Sequence, residues 1–271
     1  MKYLTSRIAL ALIKLLPERR DKRRFLFFTL LASSTSILEL GIAKVFSEII
    51  LGQDNQFNNF ASLLFTFLLL SVVSKLAIYL QRTRRIEVFS DTHINEEGKS
   101  KTNTWNITLG IECSNIANHV IQVFLIVVFI AALSPAFGIS TSFMIVFLFA
   151  VFSSIFIRQE RFQTKMLVAH YRKEQIDATR RISTRIKSGE LGALVANLSM
   201  ISLLFLLVAL NYFEWIPTTD TIVSFFAIRL LGTNLSSLSS SLMRFARALV
   251  NSSFGTTHST RNLPDDETLL A

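Results

Sequence analysis

Gly98-Lys99-Ser100 is the tripeptide that closes a phosphate-binding P-loop, so residue types and spacing first suggest chemistry there. A working P-loop needs G-x-x-x-x-G-K-[ST], because its first glycine makes the tight turn that aims backbone N–H groups at the phosphates. His93 stands where that glycine belongs. The surrounding "FSDTHINEEGKSKTNTW" is polar and loop-like, with no buried strand leading in. The tripeptide therefore carries no nucleotide site. There are no paired carboxylates and no Ser/His/Asp order, and His93, His119, His170 and His258 are scattered over unrelated segments. The single Cys113 cannot form an internal disulfide, and no metal-ligand cluster accompanies it. The chain is expected to be no enzyme and to hold neither a metal nor a cofactor of its own.

What remains are charges placed where charge is costly. Glu39, Lys44 and Glu48 interrupt the apolar run Phe25 to Leu51, and Lys75 interrupts Phe60 to Leu80. An ionisable group deep in a bilayer is by default a functional-site hypothesis with a partner to be found. Glu39 lies nearest the middle of its run, and Arg229 and Lys75 are its candidate partners. A structural interhelical hydrogen bond explains Glu39 equally well. Lys44 and Glu48, four apart, share a helix face and form a candidate structural pair near the membrane interface.

The run Thr221 to Leu242 is two-faced. Leu231, Leu235, Leu238, Leu242, Phe245 and Leu249 recur every three or four residues, and Arg229, Thr233, Ser236, Ser240, Arg244 and Arg247 lie opposite. Hydroxyls alone are ordinary packing residues between membrane helices. Arg229 changes the balance: it falls about 13 Å past Asp220 at 1.5 Å per residue, inside the bilayer unless it snorkels, so the face should meet other helices or a wet cavity. The substrate-path candidates are Glu39, Lys75, Arg229, Thr233, Ser236 and Ser240.

These positions need long apolar helices to hold them. Of 271 residues, 51% are hydrophobic and 17% charged, and mean hydropathy is +0.45, a membrane-protein composition. Apolar runs at Phe25 to Leu51, Phe60 to Leu80, Ile116 to Leu133, Ile139 to Ile157, Leu191 to Leu210 and Thr221 to Leu242 approach the roughly 20 residues that span a bilayer. The expected fold is an all-α membrane protein with six transmembrane helices. Strict alternation, the mark of a β-barrel, is missing from these runs.

Charge sets the orientation. Lys2, Arg7, Lys14, Arg19, Arg20, Lys22, Arg23 and Arg24 precede the first run, Arg82, Arg84, Arg85, Lys99 and Lys101 follow the second, and a dense basic segment spans Arg158 to Lys187. The intervening "GQDNQFNNF", "SPAFG" and "NYFEWIPTTD" carry no lysine or arginine. Both termini are therefore expected in the cytoplasm. The formal charge of +9 is accounted for by this topology and by the anionic inner leaflet, so nucleic acid is not an expected partner.

Three divisions follow. Residues 1–24 form an interfacial elbow helix, with Ile8, Leu12, Leu15 and Leu16 on one face, and a basic cluster; the segment lacks a signal-peptide cleavage site. Residues 25–250 form the membrane domain, whose long interruptions Gln81 to Asn115 and Arg158 to Glu190 suit helical extensions, the second breaking at Ser188-Gly189. Residues 251–271 read as a disordered polar tail.

The order of these features resembles the membrane domain of an ATP-binding cassette (ABC) exporter, in the six-helix arrangement of half-transporters. The likeness runs through "LIKLLPERRDKRRFLFFTLLASSTSILELGIAKVF", "YLQRTRR", "ITLGIECSNIANHVIQVF" and "AIRLLGTNLSSLSSSLMRFARALVNS". It is fainter towards flippases of lipid-linked oligosaccharides or polysaccharides. The resemblance implies a homo- or heterodimer of two six-helix halves around one cavity, with ATP bound and hydrolysed by a separate ATPase chain. Two departures stand out: no ATPase domain is expected after the sixth run, and Arg84 to Asn106 is much shorter than the family's connection, so the coupling helices that dock on an ATPase are expected to be missing. The expected function is a permease-like transport subunit at the plasma membrane, the inner membrane in a bacterium, moving a lipid-linked glycan or another amphipathic substrate. A non-transporting scaffold or modulator descended from an exporter, and an ion-gradient-driven transporter working through Glu39, are the alternatives.

Overall fold

The computed structural model describes residues 2–15, 19–51, 57–91, 100–172 and 178–257, and among them every element is a helix. In chain order these are α1 (Lys2–Leu15), α2 (Arg19–Leu51), α3 (Phe57–Asp91), α4 (Ser100–Leu133), α5 (Pro135–Tyr171), α6 (Ala178–Tyr212) and α7 (Thr218–Thr257). The 40 residues of α7 extend about 60 Å, twice the thickness of a bilayer core. Apolar spans thus continue as helix beyond any membrane.

Among the described residues, five helices are long and apolar enough to cross a membrane: Arg23–Ile50, Trp105–Leu133, Pro135–Ala169, Ile186–Tyr212 and Thr218–Ser252. The chain is a multi-pass, all-helical membrane protein on that ground. On α3 the apolar stretch is shorter, Ala61–Ala77. The outer surface is apolar, with Phe205 78% and Phe143 74% exposed, as lipid contact requires.

Helices α4 and α7 run antiparallel. Along α4 and α7, Trp105 meets Arg247, Glu112 meets Arg244 and His119 meets Asn234, so one helix ascends as the other descends. We call the end holding the N-terminus of α2 the basic end, and the end holding the α4–α5 and α6–α7 connections the turn end. The core lies around α7, whose Leu231, Leu235, Leu238, Leu242 and Phe245 are buried against α4, α5 and α6. Phe245 stacks on Phe156 of α5 at 6.0 Å. On α2, Ser33 donates to Asn118 Oδ1 at 3.0 Å, and Gln122 donates to the Ala32 carbonyl at 3.2 Å, joining α2 to α4 by polar contacts.

Helix α1 packs on α4 and α5 through Leu4, Ile8, Ala11 and Leu12, while Leu10 and Ile13 face outward. Ile8 and Leu12 belong to the expected apolar face; the side chains of Leu15 and Leu16 lie outside the described residues. The basic cluster Arg19 to Arg24 is the first turn and a half of α2 rather than a separate segment.

Two boundaries correct the sequence reading. Ser188-Gly189 is not a break: α5 ends at Tyr171, and α6 passes through both residues. A glycine costs a helix interior only about 1 kcal/mol, and burial of Gly192, Ala196 and Met200 on the following turns outweighs it. The polar tail also begins later, because α7 continues to Thr257 with Asn251 Nδ2 donating to the Arg247 carbonyl at 2.8 Å. Residues 258–271 lie outside the described residues.

The α6–α7 connection closes with Trp215 N–H donating to Leu210 O and Glu214 N–H to Asn211 O, both at 3.0 Å, which is a Schellman cap. Glu214 takes the left-handed position, φ 61°, where glycine is usual. Tyr212, Phe213 and Trp215 around it are exposed, a composition suited to the membrane–water boundary. Where α6 crosses α7, a β-carbon on Gly192 would collide with the Ser239 hydroxyl, so the missing side chain lets the two helices approach closely.

Candidate functional site

The polar face of α7 is left uncovered among the described residues. Arg229, Thr233, Ser240 and Arg244 are exposed and Ser236 and Arg247 half-buried, while the leucine face opposite is fully packed. Two clefts follow this face. One, about 570 Å³, lies between α6 and α7 and is lined by Asn197, Met200, Leu204, Phe225, Arg229 and Thr233 among others. The second, about 320 Å³, lies between α4 and α7 and is lined by Asn115, His119, Ser240, Ser241 and Arg244. Ser236 and Ser237 line both, so the two are one furrow. It runs about 22 Å from Arg229 to Arg244, at 1.5 Å per residue.

The furrow changes character along its length. Near Arg229 the wall is apolar, from Met200, Ile201, Leu204 and Ile228. Towards the basic end it is amide, imidazole, hydroxyl and guanidinium. Arg244 Nε lies 2.8 Å from Glu112 Oε1, and its Nη2 donates to Ser241 Oγ at 3.1 Å. Asn115 Nδ2 donates to Glu112 Oε2 at 3.2 Å. His119 Nδ1 stands 3.2 Å from Asn234 Oδ1, and with the proton on Nδ1 the ring donates to that amide. Arg247 sits over the Trp105 ring at 5.5 Å, a cation–π contact. Thr233 turns its hydroxyl back to the Arg229 carbonyl at 3.1 Å, satisfying it within its own helix.

The other candidate residues fall elsewhere. Lys44 Nζ is 3.7 Å from Glu48, as the four-residue spacing suggests, but its shorter contact is 2.8 Å to Asp220 in the first turn of α7. That bond ties α2 to α7 at the turn end. Glu39 is half-buried on α2, and among the described residues no ion pair joins it to Arg229 or Lys75. Lys75 is exposed on α3, which packs chiefly on α2, so its position is remote from the furrow.

Reading the sequence missed the α4 wall. Glu112, Asn115 and His119 sit at i, i+3 and i+7 on one helical face, a visible signal. Starting the third span at Ile116 left Glu112 outside it, whereas the span begins at Trp105. Among the described residues no group of three or more His, Cys, Asp or Glu could hold a metal. The chain matches no protein-family model, and no curated protein is detectably similar to it.

Proposed function

We propose that the chain is the transmembrane, permease-like subunit of an ABC-type transporter, worked by an ATPase on a separate chain, and that it moves an amphipathic substrate such as a lipid-linked glycan. The observation that carries this reading is the furrow on α7. An open face with an arginine and hydroxyls at membrane depth is costly against lipid, and a second copy or a related half facing it would enclose those groups in a polar cavity. The apolar wall near Arg229 suits a lipid stem, and the amide and hydroxyl lining near Ser240 suits a polyhydroxylated head. In this reading α3 is the sixth span, both termini are cytoplasmic, and the resemblance to exporter membrane domains rests on the segments quoted above.

A test combines reconstitution with substitution. Purified with any ATPase found encoded beside it, the protein in liposomes should stimulate ATP hydrolysis and flip a fluorescent lipid-linked glycan, and Arg229→Leu should abolish flipping at unchanged expression and thermal stability. No stimulation by any such ATPase, or full flipping by Arg229→Leu, would overturn the reading.

A non-transporting scaffold is the second reading, and one observation favours it. The Lys44–Asp220 bond holds the first turn of α7 to α2, and the Glu112–Arg244 bond holds α7 to α4 about two thirds of the way along, an arrangement suited to a fixed helix. A scaffold would keep its partner when Arg229 is replaced by leucine and show no substrate movement before or after.

A further inference from the structure

A third cleft, about 610 Å³, opens between α5 and α6 and shares no residue with the furrow. Its position is set by sequence: the apolar run Ile139 to Ile157 ends where Arg158 begins, so the cleft lies at the depth where hydrocarbon gives way to headgroups. Arg158, Arg161 and Lys165, at i, i+3 and i+7 on one face of α5, all line it and are all exposed. No described ion pair neutralises them. The neighbouring carboxylate, Glu160, turns the other way and accepts from Tyr3 of α1 at 3.2 Å, with Arg7 at 3.6 Å.

The wall of the cleft holds a buried amide. Gln159 is 1% exposed; its Oε1 lies 3.0 Å from Ser188 Oγ, and its Nε2 has no partner. Ser188 has one hydroxyl proton, and the Thr184 carbonyl 2.9 Å away competes for it. Whichever way the amide is turned, one of its polar ends stays unmet, a cost normally removed by a ligand or ordered water.

We infer that this cleft binds the headgroup of an anionic phospholipid with free hydroxyls, its phosphate held by Arg158, Arg161 and Lys165 and a hydroxyl meeting Gln159. Planar guanidinium groups suit phosphate oxygens, and Ile157 and Phe162 in the lining give the glycerol and acyl stem an apolar surface. Snorkelling cations on a plain helix would attract any anionic surface. Three cations around a cleft with an unmet amide select one headgroup geometry.

The experiment uses delipidated full-length protein in a neutral detergent, titrated by native mass spectrometry with short-chain phosphatidylglycerol, phosphatidylcholine of the same chains, and inorganic phosphate. Phosphatidylglycerol should bind with one saturating site and phosphatidylcholine should not compete. Each cation near an anionic headgroup contributes about fivefold, so Lys165→Gln should weaken binding about fivefold, and the triple Arg158→Gln, Arg161→Gln, Lys165→Gln variant about a hundredfold. Gln159→Leu, which leaves every charge in place, should weaken it severalfold. If the triple variant does not fold, the two single variants decide. Equal binding of the two lipids, unchanged affinity in Gln159→Leu, or displacement of the lipid by millimolar phosphate would overturn the site.

Discussion

Glu112 and Arg244 form one bond but do not depend on it equally. Glu112 has 9% of its side chain exposed and Arg244 has 58%, so an abandoned arginine can rehydrate and an abandoned carboxylate cannot. Arg244→Leu should therefore lower unfolding stability by about 3 kcal/mol, the usual cost of an uncompensated buried charge. Glu112→Gln, which keeps the hydrogen-bonding shape, should cost under about 1 kcal/mol. Thermal unfolding in detergent measures both, and equal losses would contradict the asymmetry. At this scale the sequence was half legible. The α7 face could be read because its polar and apolar residues separate cleanly at helical period, whereas Glu112 and His119 gain meaning only when α4 and α7 are set in register. The same gap explains Glu39: a charge in an apolar run announces itself, but which cation it could meet is decided by helix order, and α2 presents Lys44, not Glu39, to α7.

Among the elements, the α6–α7 crossing is held close by a missing side chain. Gly192→Leu should force the helices apart and destabilise by about 2 kcal/mol, the range for overpacking. Gly189→Ala is the contrasting case: no atom lies within 4 Å of the added carbon, so removing a helix-interior glycine should stabilise by up to about 1 kcal/mol. Opposite signs three residues apart on one helix can be checked by the same melts; a loss in both would mean that Gly189 serves some packing role. Local propensity marks Ser188-Gly189 as punctuation, and tertiary packing on the next turns overrides it. Helix existence was readable from apolar periodicity for this reason, and helix ends were not.

For the molecule as a whole, the lipid-like exterior and the polar face of α7 are the two facts that bear on assembly. If two copies meet across α7, Ser240→Cys should cross-link between copies in native membrane vesicles with a short bis-maleimide, and Phe205→Cys on the apolar exterior should not. Cys113 is 0% exposed and stays silent in such an assay. Cross-linking through Phe205 alone would place the interface on the apolar exterior of α6 instead. The chain also has two tryptophans, and they sit at opposite ends: Trp215 is 71% exposed in the turn after α6, and Trp105 is half-buried beneath Arg247 at the start of the α4 span. The unmodified protein thus carries an optical reporter for each face of the bilayer. A water-soluble quencher added to one side of sealed proteoliposomes dims one indole and spares the other, so vectorial insertion can be read from fluorescence without any label.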